Sequence, residues 1–312
     1  MKAWMLLPII ALYTASTVAS QALEFGQIDD VLPIAKELTK KYGAKKTVVI
    51  FDIDNTLMTT PQEMGTDQWF TWQQNLLKEN KEHPDLIAKD FYDLLDNWGL
   101  AMSISRSIPV DPDTPEIIAK IKALKDKDGV SPYVFALTSR GYINKFLTIR
   151  EMRFNGISLE DSAPSADPKL GQPWPAWEAK DLESKYGFTP AEQKSYKLDR
   201  KARTVAYSHG VFFTAGLHKG AMMRIIFEKL KMDPKAIVFV DDKAKHTDGV
   251  QDAFKGKGKD VRTVRFTHED ARVEKFNKSN KEKFVKEWKE LVKSYHTHDK
   301  TKVRSQVNKI FR

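Results

Sequence analysis

The sequence predicts an α/β fold, a parallel central sheet with helices on both faces, and three observations predict it. Four short runs, Thr47 to Phe51, Tyr133 to Leu137, Ala236 to Val240 and Val261 to Phe266, are largely apolar and rich in β-branched or aromatic residues. Unbroken apolar runs of this length suit strands buried on both faces. Segments with helical spacing separate them, and strands alternating with helices place a parallel sheet between two helical layers. Size agrees: 312 residues, 41% hydrophobic with 17 Phe and 7 Trp, supply one large domain or a core carrying an insertion.

The elements follow in order. Lys2 precedes an uncharged, mostly apolar stretch from Ala3 to Val18, then the small residues Ala19, Ser20 and Ala22. A basic start, an apolar middle and a small-residue cleavage site are the layout of a secretory signal peptide over residues 1–22. The run falls short of the roughly 20 residues a membrane span needs, and no later segment comes closer. The mature chain is therefore expected outside the cytoplasm, periplasmic or secreted. Residues 23–44 read as a helix through Ile34, Leu38 and Tyr42, stopped at Gly43. After the first strand, residues 62–105 are helical in pattern and heavy in Trp69, Phe70, Trp72, Phe91, Tyr92 and Trp98. Those aromatics suit either a cap whose Trp69, Phe70 and Trp72 line a substrate pocket or a small helical core of their own.

Thr114 and Pro115 open a short helix to Lys125, and Ile143 to Phe154 forms another that Gly156 ends. Residues 160–203 hold five of the 14 prolines and few apolar runs, and read as an irregular excursion. Val205 to Phe213 reads as a hairpin with Gly210 in its turn, and Met222 to Leu230 as an apolar helix. The organisation is thus an α/β core over 23–58 and 106–273, a helical cap over 59–105 and a basic helical tail over 274–312.

Charge is concentrated in that tail. The chain carries +9, and from Glu274 to Arg312 there are 12 Lys or Arg against 5 Asp or Glu. Such a tail suits nucleic acid or an anionic surface, or simply the solvated face of a helix whose Phe276, Phe284, Trp288, Leu291 and Val292 recur at helical spacing. There are no cysteines, which excludes thiol catalysis, disulfides and cysteine-held zinc.

In an open α/β sheet, ligands bind outside the carboxyl ends of the strands. Asp52 and Asp54 follow the first strand; Thr138, Ser139 and Arg140 follow the second; Asp241 and Asp242 follow the third; Lys219 opens the apolar helix. Clustered carboxylates raise each other's pKa unless a positive charge sits among them. A hard cation with oxygen ligands answers that need, and magnesium habitually shares such a site with phosphate. One carboxylate then serves as nucleophile, a second as acid and base, and a hydroxyl and an ammonium hold phosphate oxygens. Arg140 suits either a phosphate contact or a salt bridge. His209 and His218 flank the region without a metal-ligand spacing.

The segment Asp52-Ile53-Asp54-Asn55-Thr56 resembles the DxDxT signature of the haloacid-dehalogenase-like (HAD) superfamily. Ala136-Leu137-Thr138-Ser139-Arg140, Lys219 and Val238-Phe239-Val240-Asp241-Asp242 are similar to its later motifs, in order, across residues 47–242. The resemblance implies a Rossmann-like three-layer core with an inserted cap, and magnesium-dependent hydrolysis of a small phosphorylated substrate. It implies Asp52 as the residue that becomes aspartyl phosphate and Asp54 as general acid and base. Thr138, Ser139 and Lys219 are then the phosphate binders. The metal is held by Asp52, the main-chain carbonyl of Asp54 and an acid of the last motif, where strand alignment favours Asp242 over Asp241. Asp248 is a candidate outer acid. Residues 65–72 further resemble a group of secreted bacterial members of unassigned function. The same site also suits a phosphotransferase, and the same fold a catalytically idle binding protein that uses the basic tail.

Overall fold

The computed structural model describes residues 22–296, 301, 302 and 305. The expected signal peptide, apart from Ala22, lies outside the described residues, as does the end of the basic tail. The strands are β1 (Leu23–Phe25), β2 (Thr47–Phe51), β3 (Met58–Thr59), β4 (Ile108–Pro109), β5 (Tyr133–Thr138), β6 (Trp174–Pro175), β7 (Thr204–Ser208), β8 (Val211–Phe213), β9 (Ala236–Asp241) and β10 (Asp260–Phe266). Eight of them form one sheet in the order β1-β10-β9-β2-β5-β8-β7-β6. From β1 to β8 every pairing is parallel, and β7 and β6 add two antiparallel pairings at one edge. All five residues of β2 and all six of β9 are buried, as strands covered on both faces must be.

Alternation along the strands sorts two apolar layers. Val49, Phe51, Val134, Ala136, Val238 and Val240 pack with α1 (Val31–Tyr42), and with Ile117, Ile118 and Ile149 beyond it. Val48, Ile50, Phe135, Leu137, Ile237 and Phe239 face the other way, onto the second layer. Between β3 and β4 the chain makes α2 (Asp67–Glu79) and α3 (Phe91–Ile104). Next come α4 (Thr114–Ala123) and α5 (Lys145–Phe154), which complete the first layer. The 160–203 excursion contains the short α6 (Asp181–Ser184) and α7 (Pro190–Ser195). It also delivers Trp177, Leu182, Phe188 and Leu198 to the second layer, beside α8 (Lys219–Lys229) and α9 (Ala244–Phe254). The excursion is therefore the cover of one sheet face.

One expectation needs correction. Residues 23–25 are not the start of a helix: Leu23, Glu24 and Phe25 pair with Val264, Arg265 and Phe266 as an edge strand. The partner is over two hundred residues away, so no local pattern announces it. The described part of the basic tail is the helix expected from its spacing, apolar on one face and charged on the other. The helices α10 (Asp270–Lys278) and α11 (Glu282–His296) place Phe276, Trp288 and Leu291 in one apolar cluster with Met64, Trp69, Trp98, Ala101 and Met102. The tail's apolar face thus completes the helical segment that interrupts the core, and its lysines take the outer face.

Candidate functional site

The site is built at the carboxyl ends of β2, β5 and β9. Asp52 follows β2 directly, and its N–H donates to the Val240 carbonyl at 2.8 Å, which draws the end of β2 to the end of β9. The loop after it is a tight turn in which the Ile53 carbonyl accepts from the N–H groups of Leu57 and Met58 at 3.0 and 2.9 Å. Asn55 takes φ 56° there, a left-handed conformation that asparagine tolerates better than most residues. Thr56 serves this turn and its neighbour, its hydroxyl accepting from the Asp242 N–H at 3.1 Å.

Lys219 is the electrostatic centre. Only 2% exposed, its ammonium lies 2.6 Å from Asp52 Oδ1 and 2.5 Å from Asp241 Oδ2. Burial alone would strip its proton, and the two carboxylates reverse that and hold it charged. Burial, then Asp241 and Asp54, push Asp52 up to about 7 against the pull of Lys219. Burial would also raise Asp241, but Lys219 and His246 hold it well below the usual carboxylate range. His246 Nδ1 sits 3.0 Å from Asp241 Oδ1, and the Lys243 N–H donates to the same oxygen at 2.9 Å.

Asp54 lies apart from this group. Arg140 grips it with a two-pronged contact, Nε to Oδ2 at 3.0 Å and Nη2 to Oδ1 at 2.8 Å. Burial favours the neutral acid, yet the guanidinium overrides it and holds the Asp54 carboxyl below its ordinary value. Arg140 is itself fixed, by Thr148 Oγ1 at 2.9 Å and by the Trp98 ring of α3 at 5.4 Å. It is a buried clamp on Asp54 rather than a surface bridge. Thr138 is wholly buried; its hydroxyl accepts from the Arg140 N–H at 3.1 Å and keeps its own proton to donate, while Ser139 beside it is exposed.

The acids fit a metal ion. Asp52, Asp241 and Asp242 can each offer an oxygen such that all lie within 4.8 Å of one another. Asp242 Oδ1 is buried with no hydrogen-bond partner. Burial, followed by Asp241 and Asp67, drives the Asp242 carboxyl well above its normal value. A cation among the three would satisfy that oxygen and relieve the repulsion. A model of the family described as Protein of unknown function (DUF2608) matches residues 27–300, a span that takes in every one of these groups. The chain belongs to that family. No curated protein and no solved structure matches the chain.

Of the expected site residues, Asp52, Asp54, Thr138, Arg140, Lys219, Asp241 and Asp242 all gather at these strand ends. Asp241, ranked behind Asp242 on sequence, stands in the carboxylate group as fully as its neighbour. Asp248 is exposed on α9 and outside the group, and Ser139 makes none of its bonds. His218 caps α8 by accepting from the Ala221 N–H, and His209 occupies the β7–β8 turn at φ 51°. The substrate-pocket assignment of Trp69, Phe70 and Trp72 gives way to the core alternative. Trp69 is 1% exposed with its ring 6.0 Å from Trp288; Phe70 packs on Trp98, and Trp72 on Phe276.

The residues of the helical segment that do reach the site are Gln68, Asp67 and Trp98. Gln68 accepts from Asn55 at 3.1 Å, and Asp67 pairs with Lys243 at 2.5 Å. Lys243 had a legible signal, following the acidic doublet at a strand end. The others had none, because packing between distant segments brings them in.

Proposed function

We propose that the chain is a magnesium-dependent phosphohydrolase that cleaves a phosphomonoester through an aspartyl phosphate on Asp52. The observation that carries this reading is the buried Lys219 shared by Asp52 and Asp241, beside the unpartnered Asp242 oxygen. Asp52, Asp242 and the main-chain carbonyl of Asp54 would hold magnesium, with Asp241 alongside, and the ion would neutralise both the carboxylates and the phosphate oxygens.

In the first step Asp52 attacks phosphorus, the bond to the leaving oxygen breaks, and that oxygen takes a proton from Asp54. In the second, water gives a proton to Asp54 and its oxygen attacks phosphorus, so the bond to Asp52 breaks and inorganic phosphate leaves. Lys219 and the Thr138 hydroxyl hold phosphate oxygens through both steps. Arg140 keeps Asp54 oriented, and in its grip Asp54 is a poor proton donor. A phosphate that draws the guanidinium away frees Asp54 for protonation. The helical segment acts as the cover, since Gln68 and Asp67 close onto the loops carrying Asn55 and Lys243. With its N-terminal export signal, the enzyme works outside the bacterial cytoplasm.

The test is a panel of phosphomonoesters, p-nitrophenyl phosphate among them, with purified protein in magnesium and in chelator. Phosphate release should require magnesium and fall by about 10³-fold or more in Asp52→Asn, which keeps the shape and removes the nucleophile. Equal rates for wild type and variant would remove the nucleophile assignment. A phosphorylated alcohol appearing in place of free phosphate would assign phosphotransfer instead.

A further inference from the structure

One arginine of α10 reaches back to the turn that carries the motif acids. Arg272 stands 213 residues along the chain from Thr59, yet its guanidinium binds around it. Nε donates to Glu63 Oε1 at 3.2 Å and Nη2 to the Gln62 carbonyl at 3.0 Å. Nη1 donates to Thr59 Oγ1 at 3.3 Å and to Glu269 Oε2 at 3.2 Å. From two of these partners the bonds run on to Asn55. The Thr59 hydroxyl shares its own proton between Asn55 Oδ1 at 3.4 Å and Glu269 Oε2 at 3.3 Å. On the other side Glu63 Oε2 accepts from Gln68 Nε2 at 3.3 Å, and Gln68 Oε1 accepts from Asn55 Nδ2 at 3.1 Å. Arg272, Glu63, Gln68, Asn55 and Thr59 thus close a circuit that holds the Asn55 carboxamide at both ends. Asn55, Gln68 and Thr59 are buried, so a bond lost there is not replaced by water.

What the circuit holds is the backbone between the acids. Asn55 keeps its left-handed φ of 56° between Asp54 and Thr56, and with its carboxamide held it cannot rotate without breaking buried bonds. Thr56 carries the constraint onward, because its hydroxyl accepts from the Asp242 N–H. The fork is not needed to seat α10, whose Phe276 is 1% exposed in the apolar cluster. Nor can lysine replace it, since Glu63, Gln62 and Thr59 are met by separate N–H groups of one planar guanidinium and an ammonium is a single point charge. We propose that Arg272 is a positioning residue for the motif acids, locking Asn55 through Thr59 on one side and Glu63 with Gln68 on the other. That the locked turn serves catalysis rests on the phosphohydrolase reading; that Arg272 locks it does not.

The test is amide hydrogen exchange and steady-state kinetics on the purified chain, for Arg272→Lys, Asn55→Gly and the two combined. In Arg272→Lys the Leu57 and Met58 amides, which the Ile53 carbonyl holds, should exchange about tenfold faster or more, while β5 and β9 stay protected. Release of phosphate from p-nitrophenyl phosphate should lose about 10- to 100-fold in kcat with KM little changed. Asn55→Gly keeps the left-handed backbone and cuts the circuit, so adding Arg272→Lys to it should move neither readout further. A tie that merely held α10 in place would act equally in both backgrounds. Arg265→Gln removes a different bond to α10, that to Asp270 at 2.8 Å, and should leave both readouts at wild-type values. Should Arg272→Lys fail to fold, Thr59→Val opens the circuit elsewhere and is to shift both readouts in the same direction. Unchanged exchange at Leu57 and Met58 in folded Arg272→Lys overturns the proposal, as does an Arg272→Lys effect of equal size with and without Asn55. A turn that loosens in a chain whose wild type releases no phosphate upholds the lock and overturns the phosphohydrolase reading.

Discussion

At the scale of single residues, the arrangement turns on which acid holds which charge. Three of the four motif acids crowd together beside Lys219 and could hold a cation, while the fourth, Asp54, is withdrawn into the fork of Arg140. Removing the fork has a signed consequence. Burial pushes Asp54 up, while Arg140 first and then Lys243 and Lys219 pull it down, so in Arg140→Gln the largest pull is lost and the Asp54 carboxyl rises. The limb of the kcat/KM pH profile set by Asp54 should move to higher pH, and kcat should fall about 10- to 100-fold as the acid loses its orientation. Superimposable profiles for wild type and variant would show that Arg140 does not act through Asp54. Most of this was legible in the chain, since Asp52, Asp54, Thr138, Lys219 and Asp242 all stand at strand or helix edges. The grip of Arg140 was not, because 86 residues separate the partners and only the closing of the sheet aligns fork with carboxylate.

Helix α8 shows what a single element contributes. It begins at Lys219, so whatever secures its first turn secures the buried ammonium. His218 does so by accepting from the Ala221 N–H at 3.2 Å through Nδ1, and a protonated ring cannot accept that bond. Burial depresses His218 to about 4, and a helix N-terminus further disfavours a cation. Because the folded pKa lies below the unfolded value of about 6.5, the unfolded chain binds more protons between them. This contribution is therefore fully present above about 6.5 and is lost as pH falls towards 4. His218→Asn keeps a capping acceptor without the titration. Between pH 7 and pH 4.5 the variant should lose about 1–2 kcal/mol less stability than the wild type in urea unfolding, a figure discounted for partial exposure.

The same helix packs so closely on α9 that a Cβ on Gly220 would come within 2.5 Å of both Ala253 Cβ and the Gly249 carbonyl. Gly220→Ala should cost about 1–3 kcal/mol by overpacking, measurable as a lowered urea midpoint at unchanged slope. A neutral substitution would mean that the two helices separate easily.

For the whole molecule, the decisive feature is that the helical segment between β3 and β4 and the helices of the basic tail form one body. Trp288, 1% exposed, meets Trp69 edge-on at 6.0 Å, and its indole N–H donates to Asn97 at 3.1 Å. Residues near position 290 thereby hold the segment whose Gln68 and Asp67 lie on the site. Trp288→Ala should cost about 3–5 kcal/mol, localised to that helical body. Limited proteolysis should cut residues 60–107 before the sheet strands, whereas a uniform loss across the chain would argue that the helices and the sheet unfold as one. The basic charge of α10 and α11 follows from the same arrangement, since an amphipathic pair must present a polar outer face.

The sequence by itself determined the strand runs, the parallel sheet and the acids, hydroxyl and lysine at its edge. Those are local facts, carried by unbroken apolar runs and by the residue type that ends each one. The tertiary structure alone decided that residues 23–25 pair with β10 and that the aromatics of α2 are core. It also decided that the basic tail closes the helical body and that Arg140 takes Asp54 out of the acidic cluster. Each is a contact between segments far apart along the chain. A periodic pattern reports which face of an element is apolar, and nothing in that pattern names the surface it will meet.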